Sequence, residues 1–138
     1  MGLFVSHYEH NLDGKGRLIL PARYRAELDG SGYLGPHHEA CLALWRKEDF
    51  ERTAEEMLRS ATDAEGRDNA RLWAGDVWVV EIDKFGRMPI PARLQAFAGL
   101  RGQVLVRGAL DHVEIWDPAQ WRLRETPAEA RLSGQMRK

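Results

Sequence analysis

Residues 13–23, with the sequence DGKGRLILPAR, recur 70 positions later as residues 83–93, with the sequence DKFGRMPIPAR. Asp, Gly, Arg, Pro, Ala and Arg stand in register in both copies. Two copies of one short supersecondary unit indicate a tandem duplication within the chain. The repeated motif therefore acts as one of a set, whatever its function.

Each copy has the residue pattern of a tight turn. An Asp opens the turn, and a glycine follows three positions later, at Gly16 and Gly86. This pattern suits a type I turn closed by a glycine with positive φ. Apolar residues flank both turns, so we expect each copy to form a β-hairpin with a G1 bulge.

The repeat extends beyond the motif to further strands and helices. Pro21 and Pro91 suit the first position of a helix, and they predict short helices over residues 22–28 and 92–98. In each half two strands and a second helix follow, which predicts an α+β fold, mainly β with short helices. The predicted organisation is repeat 1 at residues 7–52, a helical connector at 53–76, repeat 2 at 77–123 and a frayed tail at 124–138.

Composition and charge restrict the class of protein. The 138 residues have a formal net charge of −1, but residues 14–26 and 84–110 contain basic side chains and no acidic one. The basic segments thus coincide with the repeated motif. The single cysteine, Cys41, excludes an internal disulfide and is expected to be a buried apolar residue. The sequence has neither a membrane-length apolar stretch nor a signal peptide, so we expect a cytoplasmic protein.

The arginine of each motif is the residue that turn formation does not require. Arg17 and Arg87 leave the turns beside Asp13 and Asp83. A carboxylate in that place can hold the guanidinium in one rotamer, so that it presents a fixed fork to an acceptor. Such a fork matches a phosphate or the major-groove edge of guanine, whereas the plain alternative is a turn with no further role.

The sequence resembles the MraZ family of bacterial transcription regulators from about residue 8 to residue 121. The residues that carry the resemblance are 11–13 (NLD), 15–18 (KGRL), 21–25 (PARYR), 114–117 (EIWD), Trp121, and the second motif at 83–87 with Pro91. The resemblance implies two tandem SpoVT-AbrB-type domains folded together as a double-split β-barrel. It also implies a homo-oligomeric ring at the nucleoid that binds direct repeats in double-stranded DNA upstream of the division and cell-wall gene cluster, usually as a repressor.

Under this resemblance the motif residues divide into contacts and scaffold. The expected DNA contacts are Lys15, Arg17, Lys84 and Arg87. The expected scaffold, which shapes the turns and orients the arginines, consists of Asp13, Gly16, Asp83 and Gly86. Three further arginines, on the helices after the turns, suit phosphate contact, a subunit interface or simple solvation: Arg23, Arg25 and Arg93.

Three features depart from the family pattern. Pro89 lies in the second return strand, where a residue without an N–H requires a sheet edge or a bulge. Phe85 stands at the tip of the second turn where the first has Lys15, and it suits packing at a subunit boundary. Residues 37–39, HHE, replace a stretch with more turn-like composition.

Other functions have weaker support in the sequence. No pair among the candidate ligands lies at i, i+4 on a predicted helix, and no fourfold Cys/His spacing occurs among them: His7, His10, His37, His38, Glu39 and Cys41. We therefore expect no enzyme activity, catalytic residue, metal, cofactor, small-molecule substrate or membrane partner. The alternatives are a structural ring scaffold and an AbrB-like antitoxin that binds its operator and a toxin. Two motifs in one chain and a short tail count against the antitoxin.

Overall fold

The computed structural model describes the backbone of residues 2–136 and the side chains of residues 2–132. The elements are β1 (His7–Asn11), β2 (Arg17–Ile19), α1 (Ala22–Arg25), β3 (Ser31–Pro36), a 3-10 turn (His38–Ala40), β4 (Leu42–Trp45), α2 (Lys47–Ser60), α3 (Ala64–Gly75), β5 (Trp78–Glu81), β6 (Arg87–Pro89), α4 (Ala92–Ala98), β7 (Gln103–Gly108), β8 (His112–Trp116) and α5 (Pro118–Met136). The predicted α+β class is confirmed.

The strands of the two repeats interleave in one six-stranded antiparallel sheet. Its order is β1-β7-β8-β4-β3-β5. Strand β1 of the first repeat pairs with β7 of the second, and β5 of the second repeat pairs with β3 of the first. At the centre β4 pairs with β8. Each repeat therefore contributes strands to both halves of the sheet.

The remaining two strands, β2 and β6, pair with each other as an antiparallel ribbon. The predicted hairpins are wrong in this respect, because the strands on either side of each turn pair with the other repeat and not with one another. The Leu20 N–H extends the ribbon by donating to the Gly86 carbonyl (2.9 Å), and the Ile90 N–H donates to the Gly16 carbonyl (3.1 Å). A strand of three residues makes few backbone hydrogen bonds, so the burial of its apolar side chains in the shared core determines which strand it pairs with.

The core lies between the inner face of the ribbon and the main sheet. Leu18 and Met88, at the centres of β2 and β6, are fully buried. Tyr24 of α1 and Leu94 of α4 belong to the same cluster. The other buried members include Leu20, Leu34, Leu42, Leu44, Ile90, Val104, Val106, Val113 and Ile115. The ribbon is thus held by its apolar side, and its other side faces outward.

The helices agree with the sequence in part. Helix α4 spans the predicted residues and ends at Gly99, whose φ is +64°. Helix α1 is shorter than predicted, because the chain tightens after Arg25 into bonds between residues three apart, such as Leu28 N–H to the Arg25 carbonyl. As predicted, Cys41 is fully buried. Asp63 caps α3, because its Oδ1 accepts a hydrogen bond from the Gly66 N–H (2.8 Å).

The C-terminal segment differs from the predicted frayed tail. Helix α5 continues through residues 124–136, and residues 137–138 lie outside the described part of the chain. Its first turns are anchored by Trp121 against Trp116 (ring centroids 5.3 Å apart). Good helix formers then follow at residues 128–132, so the helix needs no apolar periodicity to continue. Within residues 2–136, no helix combines the length and apolar character that crossing a membrane requires.

Candidate nucleic-acid interface

The first turn, residues 13–17, is built around the Asp13 carboxylate. Its Oδ1 accepts hydrogen bonds from the N–H groups of Lys15 and Arg17 (both 2.9 Å), while its Oδ2 accepts one from Arg17 Nε (2.7 Å). The Gly16 N–H donates to the Asp13 carbonyl (3.0 Å), and Gly16 has the predicted positive φ, +73°. One side chain therefore both closes the turn and fixes the direction of the arginine.

The second turn, residues 83–87, repeats this geometry. Asp83 Oδ1 accepts from the N–H groups of Phe85 and Arg87 (both 2.9 Å), and its Oδ2 accepts from Arg87 Nε (2.7 Å). Gly86 has a φ of +84°. The different residues at the tips, Lys15 and Phe85, thus leave the geometry of the Asp–Arg pair unchanged.

Both carboxyl groups have lowered pKa values. The pKa of Asp13 is lowered to about 2, and the largest cause is the hydrogen bond from the Arg17 N–H. Hydrogen bonds from the Arg17 guanidinium and the Lys15 N–H lower it further. At Asp83, desolvation by itself raises the pKa, but the hydrogen bonds from Arg87 and Phe85 outweigh it, and the pKa is lowered. Both groups are therefore anionic at neutral pH and remain paired with their arginines.

The pleat of the ribbon brings the two arginines to one face. In the antiparallel register Arg17 lies opposite Pro89, and Ile19 lies opposite Arg87. Directly paired residues and residues two apart on one strand share a face, so these four side chains are all on the side opposite the buried Leu18 and Met88. Arg17 and Arg87 are diagonal neighbours on it, at a spacing of about 7–8 Å.

This outer face, consisting of Arg17, Ile19, Arg87 and Pro89, combines charge with apolar surface. The arginine side chains are 29% and 33% exposed, and Ile19 is 50% exposed. Each ion pair engages Nε, and within residues 2–132 no hydrogen bond occupies the terminal guanidinium nitrogens of either arginine. Those nitrogens are available as donors to an external acceptor. The position of Pro89 in a two-stranded ribbon agrees with the predicted sheet edge.

Further cations surround the turns. Lys15 and Lys84 are exposed at the two tips. Phe85 is 59% exposed, and its ring lies 5.1 Å from Lys84 Nζ and 4.9 Å from Arg87 Cζ. The aromatic ring at the second tip therefore sits against two cations, and it remains open to solvent.

The three other candidate arginines occupy different environments. Arg93 is held by Asp76 through Nε (2.7 Å), and this hydrogen bond raises its pKa. Arg25 packs against the second turn, where a Cβ at Gly86 would lie 2.5 Å from its Nη1. Arg23 is exposed on α1. These three arginines therefore lie in different environments, although the sequence suggested the same possible roles for all of them.

The glycine of the second turn provides a test of the turn geometry. We expect Gly86→Ala to lower the free energy of unfolding by about 1–2 kcal/mol, because a side chain at positive φ is strained. The new Cβ would also displace Arg25. Gly75→Ala is the matched control, since Gly75 ends α3 with open space around it and without a positive φ. Urea denaturation of both variants measures the difference, and equal stabilities would contradict the assigned conformation.

The sequence analysis does not predict two parts of this candidate interface. The sequence analysis gives Ile19 no role at the site, although the alternation of Arg17, Leu18 and Ile19 along a strand places it on the same face as the arginine. Gln95 of α4 lies under the first turn, as Arg25 lies under the second. No local signal shows that contact, because each helix packs on the turn of the other repeat. One separate group of metal-ligand types, His37, Cys41 and Glu114, lies outside the interface.

The fold and the site together define a class of protein. It is a small α+β protein of two interleaved repeats, each of which places an Asp-held arginine on a shared two-stranded ribbon. A family model described as "MraZ protein, putative antitoxin-like" matches residues 3–72 and 77–135. The chain belongs to the MraZ family.

Individual relatives match over most of their length. The protein named Transcriptional regulator MraZ from Kocuria rhizophila is 41% identical over 133 residues, which cover 95% of this chain and 92% of the relative. Its namesake from Thermomicrobium roseum is 36% identical over 120 residues, covering 86% and 84%, and that from Micrococcus luteus is 38% identical over 133 residues, covering 95% and 92%. These are names of regulators and not of enzymes, which confirms the expectation that the chain is not an enzyme.

Proposed function

We propose that the chain is a sequence-specific DNA-binding transcriptional regulator whose contact surface is the outer face of the β2–β6 ribbon. The observation that carries the proposal is the pair of arginines on one exposed face, each fixed by its own aspartate through Nε. A held guanidinium loses little freedom when it binds, and its planar fork fits the O6 and N7 acceptors of guanine. A two-stranded ribbon is also narrow enough to enter the major groove.

The surrounding residues supply the other parts of a DNA contact. Lys15 and Lys84, exposed at opposite ends of the ribbon, are proposed to meet phosphates on either side of the groove. Ile19 and Pro89 provide apolar surface between the arginines, suited to a thymine methyl group. Arg23 and Arg25 are candidates for additional phosphate contacts. Arg93 is a weaker candidate because Asp76 already binds it.

The wider biological role is proposed from the family. We infer a homo-oligomeric ring, in which several weak ribbons bind direct repeats with high combined affinity. The inferred target is DNA upstream of the division and cell-wall gene cluster, the effect repression, and the location the cytoplasm and nucleoid. The interleaved repeats, with proposed bounds 7–52 and 77–123 and a connector at 53–76, are consistent with a double-split β-barrel capped by the ribbon.

The antitoxin alternative has less support from the structure. An antitoxin with one motif per chain must dimerise to obtain two, whereas here both arginines already lie on one intramolecular ribbon. A toxin-binding tail is usually disordered before it binds, but residues 124–136 form a helix. The relatives named above carry the name of a transcriptional regulator.

The test is an anisotropy titration of the full chain on a labelled duplex taken from upstream of its own gene, repeated across salt concentrations. Affinity is expected to fall steeply with salt, by a logarithmic slope of about 0.9 for each phosphate neutralised. Lys84→Ala is expected to reduce that slope by about one per contacting chain. A duplex of shuffled sequence measures the non-specific part.

Arg59→Ala is the matched control for the loss of one positive charge, because Arg59 is exposed on α2 and lies outside the two acid-free basic segments. It is expected to leave both the affinity and the salt slope unchanged. Binding that is absent, or that does not respond to salt, in a correctly assembled protein would rule out the proposal.

A further inference from the structure

A compact group of ligand-type side chains lies outside the core cluster that contains Leu18 and Met88 of the ribbon. The group consists of His37, Cys41 and Glu114, and one potential ligand atom from each lies within 4.8 Å of the others. His37 and Cys41 flank the turn between β3 and β4, and Glu114 comes from β8, which pairs with β4. The two repeats therefore meet at this group.

The His37 ring has an unused polar atom that faces the group. Its Nδ1 is buried and has no hydrogen-bond partner among the described residues. The nearest carboxylate oxygen, Glu114 Oε2, is 3.9 Å away, which is too long for a hydrogen bond. A neutral imidazole can offer the lone pair of such a nitrogen to a ligand. A buried polar atom without a hydrogen-bond partner is energetically unfavourable unless a bound ligand interacts with it.

The turn that joins the first two residues is strained. Glu39 and Ala40 have φ values of +73° and +68°, in a region that side chains other than glycine seldom adopt. The His37 N–H donates to the Cys41 carbonyl (2.9 Å), which fixes the two ends of the turn side by side. Strain of this kind is found where a protein must hold side chains in one arrangement.

Hydrogen bonds from two neighbouring side chains also orient the Glu114 carboxylate. Glu114 Oε1 accepts from Trp116 Nε1 (3.0 Å), and Oε2 is hydrogen-bonded to His112 Nε2 (2.9 Å). On its other side the His112 ring is bonded to Asp111 (2.8 Å). Metal-binding carboxylates are commonly held by such outer partners, which fix their direction.

From this arrangement we propose that His37, Cys41 and Glu114 form a binding site for a divalent zinc ion. An imidazole nitrogen, a thiolate and a carboxylate are all ligands that Zn²⁺ accepts, and three protein ligands leave the fourth position to water. A tetrahedral zinc ion holds its ligand atoms about 3.3–3.8 Å apart, so the group must close by about 1 Å. The His37–Glu114 pair is already close to that spacing.

The sequence analysis names His37 and Cys41 among the candidate ligands but expects no metal, because the third residue of the group, Glu114, lies in the other repeat. The ion would be bound by both repeats and would link the turn after β3 to β8. Cys41 would lose its proton to the solvent on binding, as thiol ligands of zinc do. The bound ion is therefore expected to stabilise the folded chain, by a free energy that grows with the logarithm of the free Zn²⁺ concentration above the Kd.

The test uses the tag-free full chain, titrated with Zn²⁺ by calorimetry and with Co²⁺ by absorption spectroscopy. We expect one Zn²⁺ per chain, a rise in Tm with Zn²⁺ but not with Mg²⁺, and a Co²⁺ spectrum of tetrahedral type with a thiolate charge-transfer band. Cys41→Ala and Glu114→Gln should each weaken Zn²⁺ binding by at least about 10–100-fold. His7→Ala, which removes an exposed imidazole from β1, should leave it unchanged.

The Co²⁺ spectrum of the unaltered protein decides the matter even if a variant fails to fold. A spectrum without a sulfur band, or with octahedral character, would overturn the proposal. So would the absence of any Zn²⁺ binding, or an equal affinity in the folded Cys41→Ala variant.

Discussion

Replacing Arg17 and Arg87 together with alanine is expected to weaken specific DNA binding by about 30-fold or more. Each guanidinium that binds a base edge contributes about 1–3 kcal/mol, and both lie on the same exposed face. The fold should survive, because Leu18 and Met88 hold the ribbon and the exposed ion pairs contribute little to stability. Anisotropy titrations and thermal unfolding measure the two effects separately.

The matched control removes the same charge elsewhere. Arg59 and Arg71 are exposed on α2 and α3, so the double variant Arg59→Ala/Arg71→Ala has the same net charge as the ribbon variant. It should bind the specific duplex with nearly unchanged affinity. If both double variants lose affinity equally, the effect is one of overall charge, and the assignment of the ribbon as the contact surface is incorrect.

Replacing both arginines of the ribbon with lysine tests whether DNA binding depends on their charge alone or also on the planar shape of the guanidinium. Arg17→Lys/Arg87→Lys keeps both positive charges but loses the planar fork, together with the Nε bond to each aspartate. Salt-dependent binding to any duplex should remain, while the preference for the specific duplex should fall. A lysine variant with full sequence preference would show that the arginines meet only phosphates.

The turns could be predicted from sequence because their determinants are local. The hydrogen bonds that shape the first turn, made by the Asp13 side chain and the Gly16 N–H, lie within five residues, and the same holds for the Asp83 side chain and the Gly86 N–H in the second turn. The direction of the arginine follows from the same short range. The conformation of each turn can therefore be predicted from sequence without knowledge of the rest of the fold.

The pairing of the strands was not predictable by the same means. A turn fixes only its own residues, whereas β2 pairs with β6 of the other repeat and not with the neighbouring β1. The choice depends on burying Leu18 and Met88 in one core, which is a property of the whole chain. For the same reason, the sequence does not predict that His37, Cys41 and Glu114 lie close together.

The interleaved pairing predicts that neither repeat folds as a monomer by itself. A fragment of residues 1–62 retains β1 and β2 but lacks β7 and β6, their only partners within residues 2–136. A fragment of residues 63–138 retains β5 but lacks β3. Each fragment would expose the apolar side of its ribbon strand to water. Circular dichroism and amide NMR spectra of each fragment alone should show an unfolded chain or a concentration-dependent homodimer, in which two copies of the same strand form the ribbon.

Mixing the two fragments should restore the native spectrum, because every strand then regains its partner. The matched control is the full chain cut once within residues 61–63, between α2 and α3, where the break crosses no ladder. The cut chain should stay folded and associated under native conditions. If residues 1–62 alone gave a cooperatively folded monomer, β1 and β2 would have to pair locally, as in the hairpin expected from sequence. The shared ribbon would then not be needed for folding, and the common face for Arg17 and Arg87 would lose its structural basis.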